Sequence, residues 1–145
     1  MKTENELLLY IYQDCQMAVS NLTTLINSIN DKDNKIKKDV EKHLKGYEKY
    51  LKESERLLKK HDVKPKDKGL MASVGSFIGI KKEISKDNSD ARIADMLIKG
   101  LTMGTIDINK KIDNFKDETA KNVLNLASDL LKFQEDIIED LKRYL

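Results

Sequence analysis

The sequence predicts an all-α fold, an antiparallel four-helix bundle with a crossover segment at its centre. Two observations carry that prediction. Four long stretches repeat apolar residues at steps of three and four, the spacing that lines one face of a helix. Charged residues make up 36% of the chain against 39% hydrophobic, with one proline and no tryptophan, a balance suited to helices that bury one stripe and solvate the rest. At 145 residues the chain is about one domain, read as 1–145, long enough to bury roughly two-thirds of its unfolded surface.

The first helix spans about residues 4–29. Thr3 followed by Glu6 has the form of a capping box, which satisfies orphan amides at a helix start. Leu8, Ile11, Cys15, Ala18, Leu22, Leu25 and Ile29 form its seam, and Tyr12, Val19 and Ile26 widen it. A polar turn over 30–34, with Asp31 and Asp33 available as caps, sends the second helix back along the first. That helix covers about 33–61 through Ile36, Val40, Leu44, Tyr47, Leu51, Ser54 and Leu58. Glu41–Lys45, Glu48–Lys52 and Glu55–Lys59 are spaced as surface ion pairs. His61 and two lysines suit its C-terminal dipole, and Pro65 stops it.

The texture changes over 62–87. A lysine-rich linker leads into Gly69–Ile80, where Leu70, Val74, Phe77, Ile78 and Ile84 have the spacing of a short crossover helix. The third helix, about 90–113, carries Ile93, Ala94, Leu97, Leu101, Ile108 and Ile112, with Gly100 and Gly104 among them. After a turn at 115–117 the fourth helix runs over about 117–144. Its seam is Ala120, Leu124, Ala127, Leu131, Gln134, Ile138, Leu141 and Leu145, broadened by Val123, Leu130, Phe133 and Ile137.

Several function classes are disfavoured. A formal net charge of +2, with only Arg56, Arg92 and Arg143 among the basic residues besides lysine, gives no footprint for nucleic acid. No apolar run approaches the roughly 18 residues of a membrane span, and the start of the chain is unlike a secretory signal, so a cytoplasmic protein is expected. Cys15 stands alone in the first seam and reads as a buried structural thiol. No nucleophile has a recognisable partner, so no catalytic residue is assigned. His43 reads as a boundary histidine paired with Asp39. Bundles with two carboxylate-bridged metals need Glu-x-x-His on two helices. That motif is absent, and Glu41 and His43 point to nearly opposite sides, so neither a metal nor any other cofactor is expected.

Two constellations remain. Gly100 and Gly104, spaced by four, clear a groove along the third helix; close packing by a neighbouring helix is the expected reason, a groove for a ligand or partner the alternative. Asp107 follows on the same face. Beside the first seam run Tyr10, Asp14, Met17 and Asn21, while Gln134 occupies a core position of the fourth helix. A buried polar group without partners costs roughly 1–3 kcal/mol. Tyr10, Asp14, Asp107 and Gln134 are therefore expected to meet in a polar core or pocket, the alternative being a surface pair of Asp107 with Lys111.

The stretch from Ile93 to Ile108, with Gly100-Leu101-Thr102-Met103-Gly104 at its centre and Gly46-Tyr47-Glu48 on the second helix, resembles a group of small bacterial ferritin-like proteins of uncharacterised function. The resemblance implies a ferritin-like bundle with a central crossover and supplies no reaction. The functional expectation is a non-catalytic bundle that acts through protein contacts, as a homo-oligomer or with a protein partner. Two alternatives stand beside it. One is a ferritin-like domain holding a small ligand in a polar core pocket. The other is peripheral membrane attachment through the crossover beside Lys64, Lys66 and Lys68.

Overall fold

A computed structural model describes residues 5–65, 80 and 82–145, and every structured element among them is helical. The long helices are α1 (Glu6–Ser28), α2 (Lys37–Lys60), α3 (Asp90–Phe115) and α4 (Lys121–Leu141), and a 3-10 turn (Lys142–Tyr144) extends the last. None is long and apolar enough to cross a membrane. Residues 82–86 are also helical, whereas Thr3 and the Gly69–Gly79 part of the crossover lie outside the described residues.

The seams of α1 and α2 bury as their periodicity dictates. Leu8, Ile11, Cys15, Leu22, Leu25 and Ile29 on one side meet Ile36, Val40, Tyr47, Ser54 and Leu58 on the other. Each full burial of a large aliphatic side chain stabilises by about 1.5–3 kcal/mol, so this pair forms the densest part of the core. In α4 the buried stripe is Val123, Leu126, Ala127, Leu130, Gln134, Ile137 and Leu141, displaced from the expected seam. Ala120 becomes the exposed residue before the helix, and Leu145 is 66% exposed. On α3 only Ile93, Ala94 and Ile108 are buried, while Leu97, Leu101 and Ile112 stay partly open.

The ends are held by partners distant in sequence. Neither Asp31 nor Asp33 caps α2. The Asp90 carboxylate, from the first turn of α3, accepts from the Lys35 amide at 3.2 Å, the Ile36 amide at 3.5 Å and the Asn34 side chain at 2.8 Å. Ser89 caps α3 by accepting from the Arg92 amide at 3.2 Å. At the end of α2, Asp62 adopts φ 56°, and the Val63 amide reaches back to the Leu58 carbonyl at 2.9 Å. That left-handed residue closes the helix before Pro65, with aspartate in the place glycine most often takes.

Along α2 and α4 the contacts run in opposite order. Asp39 meets Arg143 and Tyr144, Tyr47 meets Gln134, and the Tyr50 hydroxyl donates to the Asp129 carbonyl at 3.2 Å. The surface ion pairs differ from those the spacing suggested. Among the described residues Glu53–Arg56 forms on α2, rather than Glu41–Lys45, Glu48–Lys52 or Glu55–Lys59. Such exposed pairs are worth at most about 1 kcal/mol whichever partner is chosen.

Candidate functional site

A partly open cavity of about 510 Å³ lies among the four helices, in the range of small-molecule sites. Its shape follows from helical spacing. Asp14, Ala18 and Asn21 recur on one face of α1, and Leu97, Gly100, Leu101 and Gly104 recur on one face of α3. Where α3 presents glycine and α1 presents alanine, little side chain fills the space between them. The far wall is Ile137 and Leu141 of α4, and Ile80, Lys82 and Glu83 sit at the margin.

The glycines therefore do something other than what their spacing implied. Among the described residues a Cβ built on Gly100 meets nothing within 4 Å, and one on Gly104 meets the Gln134 amide nitrogen alone, at 3.9 Å. No helix packs closely against them among the described residues. The close approach occurs instead at Gly46, where a Cβ would stand 2.3 Å from the Phe133 ring. Phe133 in turn lies edge-on to Tyr47, with centroids 5.1 Å apart, and tilted against Tyr50 at 5.2 Å.

The polar end of the cavity joins three helices. The Gln134 amide donates to Asp14 Oδ2 at 3.0 Å and to the Tyr47 hydroxyl at 3.1 Å. Gln134 is 2% exposed, and its carbonyl oxygen has no partner among the described residues, nor has that of Asn21. Asp14 keeps some accessible surface yet is enclosed by protein, since it borders the cavity. Burial and the nearby Asp107 charge raise its carboxyl to about 6, against the opposing pull of the Gln134 amide. Burial likewise pushes the Tyr47 phenol up, reinforced by Asp14.

Two of the four expected cluster residues stand apart. Asp107 is exposed on α3 and acts on Asp14 and Tyr10 only through its charge. Its helical face is open because only isolated positions of α3 bury. Nor does it pair with Lys111, whose ammonium lies 5.6 Å from the centre of the Tyr10 ring and 5.8 Å from that of Phe115. Tyr10 is partly buried against the core, and burial, then Asp14, pushes its phenol up. The meeting of Asp14 with Gln134 is the part that forms.

Tyr47 and His43 are the cavity residues that sequence reasoning missed. Tyr47 reads as an ordinary seam residue, but a glutamine at a core position of α4 needs a polar partner at a facing core position, and Tyr47 offers one. His43 is buried rather than at the boundary, and burial lowers its pKa, outweighing the Asp39 and Asp140 charges. Asp39 turns to Arg143 and Tyr144 instead, accepting from the Tyr144 hydroxyl at 2.5 Å. Burial alone raises Asp39, and these hydrogen bonds more than reverse it.

Cys15 is free and fully buried, and burial followed by the Asp14 charge pushes its thiol up, away from nucleophilic chemistry. Among the described residues no three metal-ligating side chains converge. The site can accept hydrogen bonds and hold apolar matter.

No protein-family model matches this chain, and neither a curated protein nor a solved structure does.

Proposed function

We propose that the chain is an antiparallel four-helix bundle of ferritin-like path that works as a non-enzymatic receptor for a small molecule. The path is supported by its end contacts. Asn34 beside Asp90 joins the α1–α2 turn to the start of α3, and Lys111 over Tyr10 joins the far part of α3 to the start of α1. With short turns at 29–36 and 116–120, α2 and α3 then point the same way, and the end of α2 and the start of α3 lie at opposite ends of the bundle. A receptor is favoured over an enzyme because the buried groups are poised to hold rather than react.

The observation that carries the function is the cavity, about 510 Å³ with aliphatic walls and a hydrogen-bonded polar end. Such a combination is the usual form of a small-molecule site. Titration with the neutral fluorophore N-phenyl-1-naphthylamine tests it. One saturable site per chain is expected, lost when Leu97→Trp fills the space. Absence of saturable binding to the wild type would reject the reading.

Self-association is a second reading, favoured by Met103 and Ile106, which are 69% and 50% exposed and one turn apart on α3. Light scattering of the wild type and of Met103→Lys/Ile106→Lys tests it. A dimer that becomes a monomer supports the reading, and a wild-type monomer at high concentration removes it.

A further inference from the structure

We infer that the cavity selects an organic cation, a primary ammonium carried on an aliphatic body, with the ammonium on Asp14. The inference rests on the small-molecule reading above and specifies its ligand class.

The polar end is short of donors. Asp14 Oδ2 receives the Gln134 amide at 3.0 Å, and no described residue donates to Oδ1. No lysine or arginine among the described residues pairs with Asp14. Glu83, the other carboxylate at the margin, is already bound to Arg92. The buried amide oxygens left without partners beside the cavity, those of Gln134 and Asn21, are also acceptors. Apart from the Tyr47 hydroxyl, whose own proton has no acceptor among the described residues, the unmet demands at this end are for an N–H or O–H.

Reach and charge then narrow the class. Neither amide oxygen has surface of its own, whereas Asp14 is only partly buried and lines the cavity. A carboxylate in an apolar enclosure is costly unless a cation or several donors meet it. A primary ammonium supplies both a positive charge and three donors. One can serve Oδ1, on the residue of this end that keeps accessible surface. Behind the head, Leu97, Leu101, Ile137 and Leu141 offer aliphatic wall, and the polar lining outside this end is His43, Lys82 and Glu83. A straight hydrocarbon tail fits that wall, while an anionic head would stand against Asp14.

The experiment displaces bound N-phenyl-1-naphthylamine from the full chain at pH 7.5, using octylammonium, octyltrimethylammonium, octanol and octanoate. Octylammonium is expected to compete at least about tenfold more strongly than octanol, a preference worth about 1.4 kcal/mol. Octyltrimethylammonium, with the charge but no donors, is expected between them and octanoate last. Asp14→Asn keeps the shape of the side chain, and with competition read against the variant's own fluorophore affinity its preference for octylammonium over octanol is expected to fall to about one. Octanol or octanoate competing as well as octylammonium would overturn the inference, as would a preference that survives Asp14→Asn. Both results leave fluorophore binding intact and so differ from failure of the receptor reading, in which the wild type does not bind the fluorophore.

Discussion

Glycine occurs inside two of the long helices and has opposite consequences in them. In α2, Gly46 admits the Phe133 ring, which fills the space where a side chain would be and packs between Tyr47 and Tyr50. In α3, Gly100 faces none of the described residues within 4 Å, and Gly104 looks toward Gln134 across a cavity. Each glycine costs its helix about 1 kcal/mol relative to alanine. At Gly46 the chain offsets that cost with its own aromatic packing. At Gly100 nothing described in the chain offsets it, which is the pattern of a surface shaped for something else. What a glycine does is decided by the residue across from it.

The strongest way to break this comparison is to put the same side chain at both places. Gly46→Leu forces carbon into the Phe133 ring, and overpacking of this kind costs about 3 kcal/mol or more where the neighbour cannot move. Phe133 is wedged between two tyrosines and has little room to retreat. Urea unfolding measures the loss, and Gly46→Leu/Phe133→Ala should regain part of it. Gly100→Leu should be tolerated far better. Equal losses at the two positions would show that α3 is as closely packed as α2.

The next effect in size comes from Asp14, the charge at the cavity's polar end. Its carboxyl lies at about 6 in the fold against an ordinary 3.8, so between those values the folded chain holds more proton than the unfolded one. Stability from this group is full below about pH 4 and declines as pH rises through 6, staying lower above it. Asp14→Asn cannot ionise and should be more stable than wild type at pH 7.5 by about 1–3 kcal/mol, with the gap closing near pH 4. Burial and the Asp107 charge raise Asp14, and the neutral Gln134 amide lowers it without reversing the shift. Chemical unfolding of both proteins at the two pH values checks the sign. A gap that widens toward acid would mean that Asp14 is held ionised by a cation the described residues do not include.

A smaller effect of opposite sign to the leucine at Gly46 is expected from Gly100→Ala. With open space at the Cβ and a better helix former, it should stabilise by about 0.5–1 kcal/mol. The melting temperature should rise, and a fall would show that the α3 groove is filled in solution.

The helices themselves were legible because one stripe of each had to be buried, and periodicity reports that demand directly. Seams of α1 and α2 came out nearly residue for residue. In α4 burial drew on both stripes, Ala127, Gln134 and Leu141 from the nominal seam and Val123, Leu130 and Ile137 from the broader face, because the two differ by a small rotation. The polar site was legible only in part. Asp14 and Gln134 are 120 residues apart, and each announced itself by standing beside or within an apolar seam. Tyr47 did not, since a tyrosine needs no explanation in a seam. Gly46 escaped notice because a glycine's partner is invisible in its own helix. The opposite error befell Asp107, where the glycine pattern on α3 suggested a packed face that is in fact open.

Asp107 supplies the smallest expected effect and the finest test of the boundary between the two surfaces. Exposed on α3 and free of an ion pair among the described residues, it should contribute little to stability, so Asp107→Asn is expected to change unfolding by no more than about 0.5 kcal/mol. Its charge nevertheless reaches two groups of the interior. Asp107 raises both Asp14 and Tyr10. Removing that charge should move the Asp14 carboxyl downward, a change followed by the side-chain carboxyl carbon in an NMR pH titration. An unmoved Asp14 titration would mean that solvent screens the two carboxylates from one another. A large loss of stability would mean the reverse, that Asp107 turns inward and completes the polar end of the cavity. A downward shift of Asp14 with unchanged unfolding is the outcome that keeps Asp107 outside the site while its field reaches in.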